Sequence, residues 1–176
     1  MKKILFTTLL GAILSSWTFQ TIELEKREIL NDKVEILLPK NFGIMPDDML
    51  QLKYPSANRP ALVYSDEDGT VNIAFNHTAN KASQKEIEKY KDVFVSTFKS
   101  SYPTAVWGEK GVKEINGRKV GFLEVTTPAI DTKIYNLLFF TDVEGKLLIC
   151  TFNCTSKKKS AWVESAKKIF NSFTIK

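Results

Sequence analysis

Residues 134–154 read IYNLLFFTDVEGKLLICTFNC. The pattern is two strands joined by a turn near Glu144-Gly145. Both strands are apolar at both parities. Ile134, Leu138 and Phe140 fall on one face of the first, and Tyr135, Leu137 and Phe139 on the other. In the second, Leu147 and Ile149 oppose Leu148, Cys150 and Phe152. An antiparallel strand with one wet face alternates apolar and polar residues, so a pair without that alternation is covered on both sides. The sheet that holds this hairpin is therefore the middle layer of a sandwich.

Working outward, the neighbours are also strands. AVWGEKGVKEI, residues 105–115, turns at Asn116-Gly117 into RKVGFLEVTT, residues 118–127; Asn-Gly is a strong signal for a tight hairpin. Further back, ALVYS (61–65) and VNIAFNHT (71–78) flank Asp66-Glu67-Asp68-Gly69, another hairpin turn. Val34, Ile36 and Leu38 alternate with polar residues in a strand that Pro39 ends, and Asn31-Asp32 joins it to a short strand before it. Between Asn41 and Pro60 the chain is irregular, with one short helix over Asp47–Leu52.

Two longer helices complete the chain. Ser83-Gln84-Lys85-Glu86 fits a capping box, in which serine and glutamate each satisfy a free backbone donor, so the first begins at Ser83. Ile87, Tyr90, Phe94 and Phe98 follow at helical spacing as a core-facing stripe, and Pro103 stops the run. The second is capped by Thr155 or Ser156 and buries Trp162, Ala166, Ile169 or Phe170, and Phe173. Phe94 and Trp162 are expected to cover opposite faces, or distant parts, of one sheet. The prediction is a single α+β domain: an antiparallel sheet of about seven strands with helices on both faces. The 176 residues, 43% apolar and 26% charged, suffice for one real core and exclude a disordered chain.

This order resembles the PsbP-like superfamily over roughly residues 28–176. The carriers are KVEILLPKNF (33–42), the helix after VNIAFNHT, the hairpin through Asn116-Gly117-Arg118, and the ending LLICTFNCTSKKKSAWVESAKKIFNSFTI (147–175). These are markers of a fold. The resemblance implies an α/β/α sandwich and is nearest to the exported bacterial, DcrB-like branch. It brings no catalytic, cofactor or metal residue to a numbered position here.

Residues 1–20, MKKILFTTLLGAILSSWTFQ, read as a secretory signal peptide: a positive head at Lys2-Lys3, an apolar run from Ile4 to Leu14, then small residues before a cut. The domain is then 21–176, periplasmic or secreted, with no stable membrane span after processing. No cysteine lies in residues 1–25 to take an N-terminal lipid. The net charge of +5 falls to +3 without Lys2 and Lys3, which is a solubility feature and no footprint for nucleic acid. Lys157-Lys158-Lys159 reads as a solvated helix start.

No residue of the sequence is assigned a catalytic, cofactor-binding or metal role. His77, the one histidine, shares parity with Val71, Ile73 and Phe75 and reads as a hydrogen-bonded strand-end side chain. Cys150 and Cys154 sit in one strand, where four residues span about 13 Å, while a disulfide needs Cα atoms within about 7 Å. Two buried, inert thiols are expected. Asp66, Asp68 and Gly69 resemble a fragment of a calcium loop, but Tyr64 and Phe75 stand where its first and twelfth ligands belong. Asn76-His77-Thr78 and Asn153-Cys154-Thr155 match the glycosylation sequon, an accident in a chain with a bacterial type of signal. Glu124 shares parity with Val120 and Phe122 and is expected to pair with a Lys or Arg on a neighbouring strand. The functional expectation is an exported, non-catalytic binding or accessory domain of the cell envelope, whose partner is a protein or a hydrophobic ligand. An envelope hydrolase with scattered carboxylates and a structural component of an envelope complex are the rivals.

Overall fold

The structure, a computed structural model, describes residues 22–57 and 59–176. The expected signal peptide lies outside the described residues. Strands β1 (Leu24–Ile29) and β2 (Val34–Pro39) form a hairpin whose turn carries positive φ at Leu30, Asn31 and Asp32. Then follow β3 (Gly43–Ile44), α1 (Asp47–Lys53), β4 (Leu62–Ser65), β5 (Val71–Lys81) and α2 (Ile87–Ser101). The second half is β6 (Val106–Ile115), β7 (Arg118–Pro128), β8 (Lys133–Val143), β9 (Lys146–Thr155), α3 (Lys159–Ser172) and β10 (Thr174–Ile175).

Seven strands make one antiparallel sheet in the order β3-β4-β5-β9-β8-β7-β6, as the apolar hairpin demands. Both residues of the Asn116-Gly117 and Glu144-Gly145 turns have positive φ, the type I′ geometry that matches strand twist. One face packs on α3, but α3 does not cover it alone. A second sheet, β1-β2-β10, lies over the rest and contributes Val34, Ile36 and Leu38 to the same core as Phe139, Phe152 and Phe170. The pair of opening strands is thus a covering layer and not part of the central one. The opposite face carries α2 over Leu123, Leu138 and Phe140, and α1 over Val63 and Ala74. Phe94 on α2 and Trp162 on α3 do cover opposite faces, and both are half-buried.

Both long helices begin later than their sequence signals place them. The Ser83 hydroxyl bonds the Glu86 carboxylate at 2.8 Å, and α2 starts at Ile87 with no side-chain cap. The preceding turn is pinned to the sheet instead. Gln84 donates to Asp142 Oδ1 (2.7 Å) and Thr141 Oγ1 (3.0 Å), and its Oε1 accepts from the Lys119 N–H (2.7 Å). Thr155 still pairs with Ile134 in β9, and the Ser156 N–H bonds the Lys133 carbonyl, so neither caps α3, which starts at Lys159. Of the three adjacent lysines only Lys157 is exposed. Lys158 pairs with Asp66 at 3.1 Å, and the Lys159 ammonium sits 4.7 Å from the Tyr135 ring centre.

Candidate functional site: an amide-floored groove

In three central strands an asparagine sits between two fully buried residues of the opposite face: Val71-Asn72-Ile73, Tyr135-Asn136-Leu137 and Phe152-Asn153-Cys154. The register sets the three side by side. Asn72 pairs with Asn153, and Asn153 with Asn136, so a row of amides crosses β5, β9 and β8. The row lies on the face that α1 and α2 share, where the two helices leave the sheet uncovered between them. A groove of about 610 Å³ opens there, within the range of small-ligand sites. Tyr54, just past α1, and Tyr102, just past α2, stand on its walls, and the β7–β8 loop from Ala129 to Thr132 forms its rim. Ile130 is fully exposed at the tip of that loop.

The amides have fixed orientations. Asn136 Nδ2 donates to the Val125 carbonyl (3.1 Å), the Ile134 carbonyl (3.0 Å) and Thr127 Oγ1 (3.2 Å). Turning the amide over would set its oxygen against two carbonyl oxygens, so the donor end must face them. Asn153 Nδ2 donates to Asn72 Oδ1 (3.0 Å) and Tyr54 Oη (3.3 Å) and reaches the Thr151 carbonyl at 3.4 Å. Tyr54 Oη donates to Asn72 Oδ1 at 2.9 Å, and Asn72 Nδ2 to the Gly69 carbonyl at 3.4 Å. Burial pushes the Tyr54 phenol up to about 12, so it stays a neutral donor at physiological pH. The NH₂ groups of Asn136 and Asn153 are thus consumed within the protein. Their carbonyl oxygens accept nothing from the described residues.

Of the residues singled out from the sequence for chemistry, Gly69, Asn153, Cys154 and Thr155 line the groove, and the others lie elsewhere. His77 Nε2 is 3.0 Å from the Val143 carbonyl, a hydrogen-bonded contact as expected, but β5 runs on to Lys81, so His77 stands inside the strand and not at its end. Asp66 closes its turn by accepting from the Val71 N–H (3.0 Å) and Thr70 Oγ1 (3.1 Å). No group of three or more His, Cys, Asp or Glu among the described residues is placed to hold a metal ion. Glu124 is buried, but its cation comes from α3 and not from a neighbouring strand: Lys167 Nζ stands 3.8 Å from Oε1. A bulge in β6 between Trp107 and Lys110 brings Gly108 so close to Glu124 that a Cβ there would lie 2.8 Å from Oε2. Beside it the Tyr135 hydroxyl is buried with no hydrogen-bond partner among the described residues. Burial first, and then the Glu124 charge, push that phenol up. The niche takes about 40 Å³, the space of a water or two.

Cys150 and Cys154 are both free and buried in an unbroken β9. Burial pushes Cys150 well up and Cys154 up to about 11, the latter against the opposing pull of Lys158 and Lys159. An aromatic disulfide reagent at mildly alkaline pH is therefore expected to modify neither thiol in the native protein and both after denaturation, two per chain. A fast native reaction at either position would overturn the packing of β9.

Compared with solved structures, the chain superposes on cyanobacterial PsbP (CyanoP) from Synechocystis with a TM-score of 0.62, covering 94% of this chain and 100% of that one at 15% identity. The fold is PsbP-like. The Ran-binding protein Mog1p of Saccharomyces cerevisiae is also similar, with a TM-score of 0.51 at 10% identity over 88% of this chain and 96% of its own. So is LpqN of Mycobacterium tuberculosis, a protein involved in cell envelope biogenesis, with a TM-score of 0.53 at 9% identity over 87% and 90%. No protein-family model and no curated protein sequence matches the chain. At such identities the likeness establishes the fold alone. Sequence reasoning passed over the amide row as a unit. Its signal was present as three asparagines interrupting apolar strands. That signal acquires meaning only through the register that aligns them.

Proposed function

We propose that this chain is an exported, non-catalytic binding domain that holds its ligand in the groove between α1 and α2. The observation that carries the reading is the row of Asn72, Asn153 and Asn136 side by side across three neighbouring strands. Polar side chains in a central strand cost stability unless they are satisfied. Here the satisfied ends point into the protein, and the unused acceptors line the concave surface. The groove supplies hydrogen-bonding specificity without an obvious reactive group: Asp131, on the rim, is the one acid in its lining. A hydrolase reading asks for at least two carboxylates in one cleft, and the groove does not offer them. Nor is it the long apolar channel that a purely hydrophobic ligand prefers. The reading of residues 1–20 as an export signal supports an envelope setting. So does the likeness to LpqN, involved in cell envelope biogenesis in its own organism. No helix of the described residues is long and apolar enough to cross a membrane.

The test is amide chemical-shift mapping of the isotopically labelled protein against a library of small polar and apolar fragments. Hits are expected to move Thr70, Asn72, Asn136 and Asn153 together. Hits that cluster away from the groove, at the Glu124 niche or along β6, would replace this reading.

A further inference from the structure

We infer that the groove's ligand is a neutral, hydroxyl-rich molecule, a saccharide. This inference rests on the groove being the binding site and assigns the chemistry of what it takes. The floor offers the carbonyl oxygens of Asn136 and Asn153 as acceptors, while the donor ends of both amides are spent on the protein. The Tyr54 hydroxyl, neutral at physiological pH, gives its one proton to Asn72 and accepts from Asn153, so it too donates nothing outward. The two floor amides thus ask a ligand for donors, while donors for its acceptors come from the walls, the Lys53 ammonium and the Tyr102 hydroxyl.

An extended peptide fits this poorly. Its N–H and C=O groups alternate at fixed positions and cannot rotate, so carbonyls that fall over the Asn136 and Asn153 acceptors are left without a donor, which is a cost. An ammonium or guanidinium brings donors alone, but Lys53 stands on the groove wall and opposes Asp131 on the rim, so the site holds no net negative charge to offset desolvation of a cation. Sugar hydroxyls donate and rotate to suit. A pyranose ring also presents an apolar C–H face. Tyr102 and Ile130, both exposed, and Pro128 supply the apolar wall for it. Aromatic rings with a polar tip suit a surface that is apolar on one side and wet on the other.

The experiment titrates the full processed chain with maltotriose, chitotriose and mannotriose, with triglycine and spermidine as the competing chemistries, read by calorimetry and by amide shifts. At least one trisaccharide is expected to bind with Kd of about 1 mM or tighter and to move Asn136 and Asn153. Asn153→Leu removes a floor acceptor and is expected to weaken that binding about tenfold or more. Because Asn153 also braces Tyr54, Tyr102→Ala at the exposed wall serves as the second variant, with several-fold weakening expected in a fully folded protein. If triglycine or spermidine moves the groove amides and no trisaccharide does, the saccharide assignment fails while the groove remains the binding site. If no probe moves them, both readings fail. Saccharide binding unaffected by either variant places the sugar elsewhere and overturns the assignment.

Discussion

Replacing Phe139 by alanine is expected to lower the unfolding free energy by about 3–5 kcal/mol, the range for a large aromatic removed from a closed core. Phe139 is wholly buried in β8, flanked in register by Phe122 on β7 and Cys150 on β9. Its ring centre lies 5.3 Å from that of Phe170 and 5.8 Å from that of Phe173. Phe139 thus joins the central sheet to the end of α3, beside Phe122, whose ring centre is also 5.3 Å from that of Phe170. The strands around it are held by ladder hydrogen bonds and cannot close over the gap, so the cavity term should be near its maximum. Urea denaturation of wild type and variant measures the loss as a shift in midpoint at unchanged slope. Ile130→Ala, at a fully exposed loop tip, is the control and should change stability by less than about 0.5 kcal/mol. A loss of under about 1 kcal/mol at Phe139 would mean that the sheet and α3 are not packed as described.

Gly121→Ala is expected to cost about 1–3 kcal/mol by overpacking. Gly121 on β7 lies directly opposite Phe140 on β8, and the far edge of the Phe140 ring occupies the space of the missing side chain. A Cβ at 121 would fall 2.3 Å from Phe140 Cζ and 2.4 Å from Cε2. The ring cannot simply lift, because Phe94 of α2 packs on it with centres 4.7 Å apart. The substitution should therefore loosen α2 more than α3. Hydrogen exchange that rises in Tyr90–Phe98 while Ala166–Phe170 stays protected is the expected signature. Equal loosening of both helices, or none, would show that Phe140 does not transmit the strain to α2. Phe94→Ala, by comparison, removes a half-buried ring at the solvent side of the same stack. It should cost less than Phe139→Ala.

These two expectations differ in what made them visible. Residues 134–154 by themselves determined that the sheet has two covered faces, because a strand with no polar parity has nowhere to meet water. The same local physics determined the turns: Asn116, Gly117 and Gly145 accept positive φ where most residues, Glu144 among them, resist it. It also determined the separation of Cys150 from Cys154, since an extended chain cannot fold back within four residues. The helix stripes were legible for the same reason, and α2 and α3 do cover opposite faces. Helix starts were not, because a capping signal competes with whatever tertiary partner the same residues can reach. Gln84 reaches Thr141 and Asp142, and Thr155 stays in the β9 ladder. The place of β1 and β2 was also decided by packing, for a half-buried hairpin reads alike whether it extends a sheet or covers one. Above all, the groove belongs to the tertiary structure. Asn72, Asn136 and Asn153 are up to 81 residues apart in the chain, as the bond from Asn153 to Asn72 spans. Only strand register sets them in one row, and only the gap between α1 and α2 leaves that row open to a ligand.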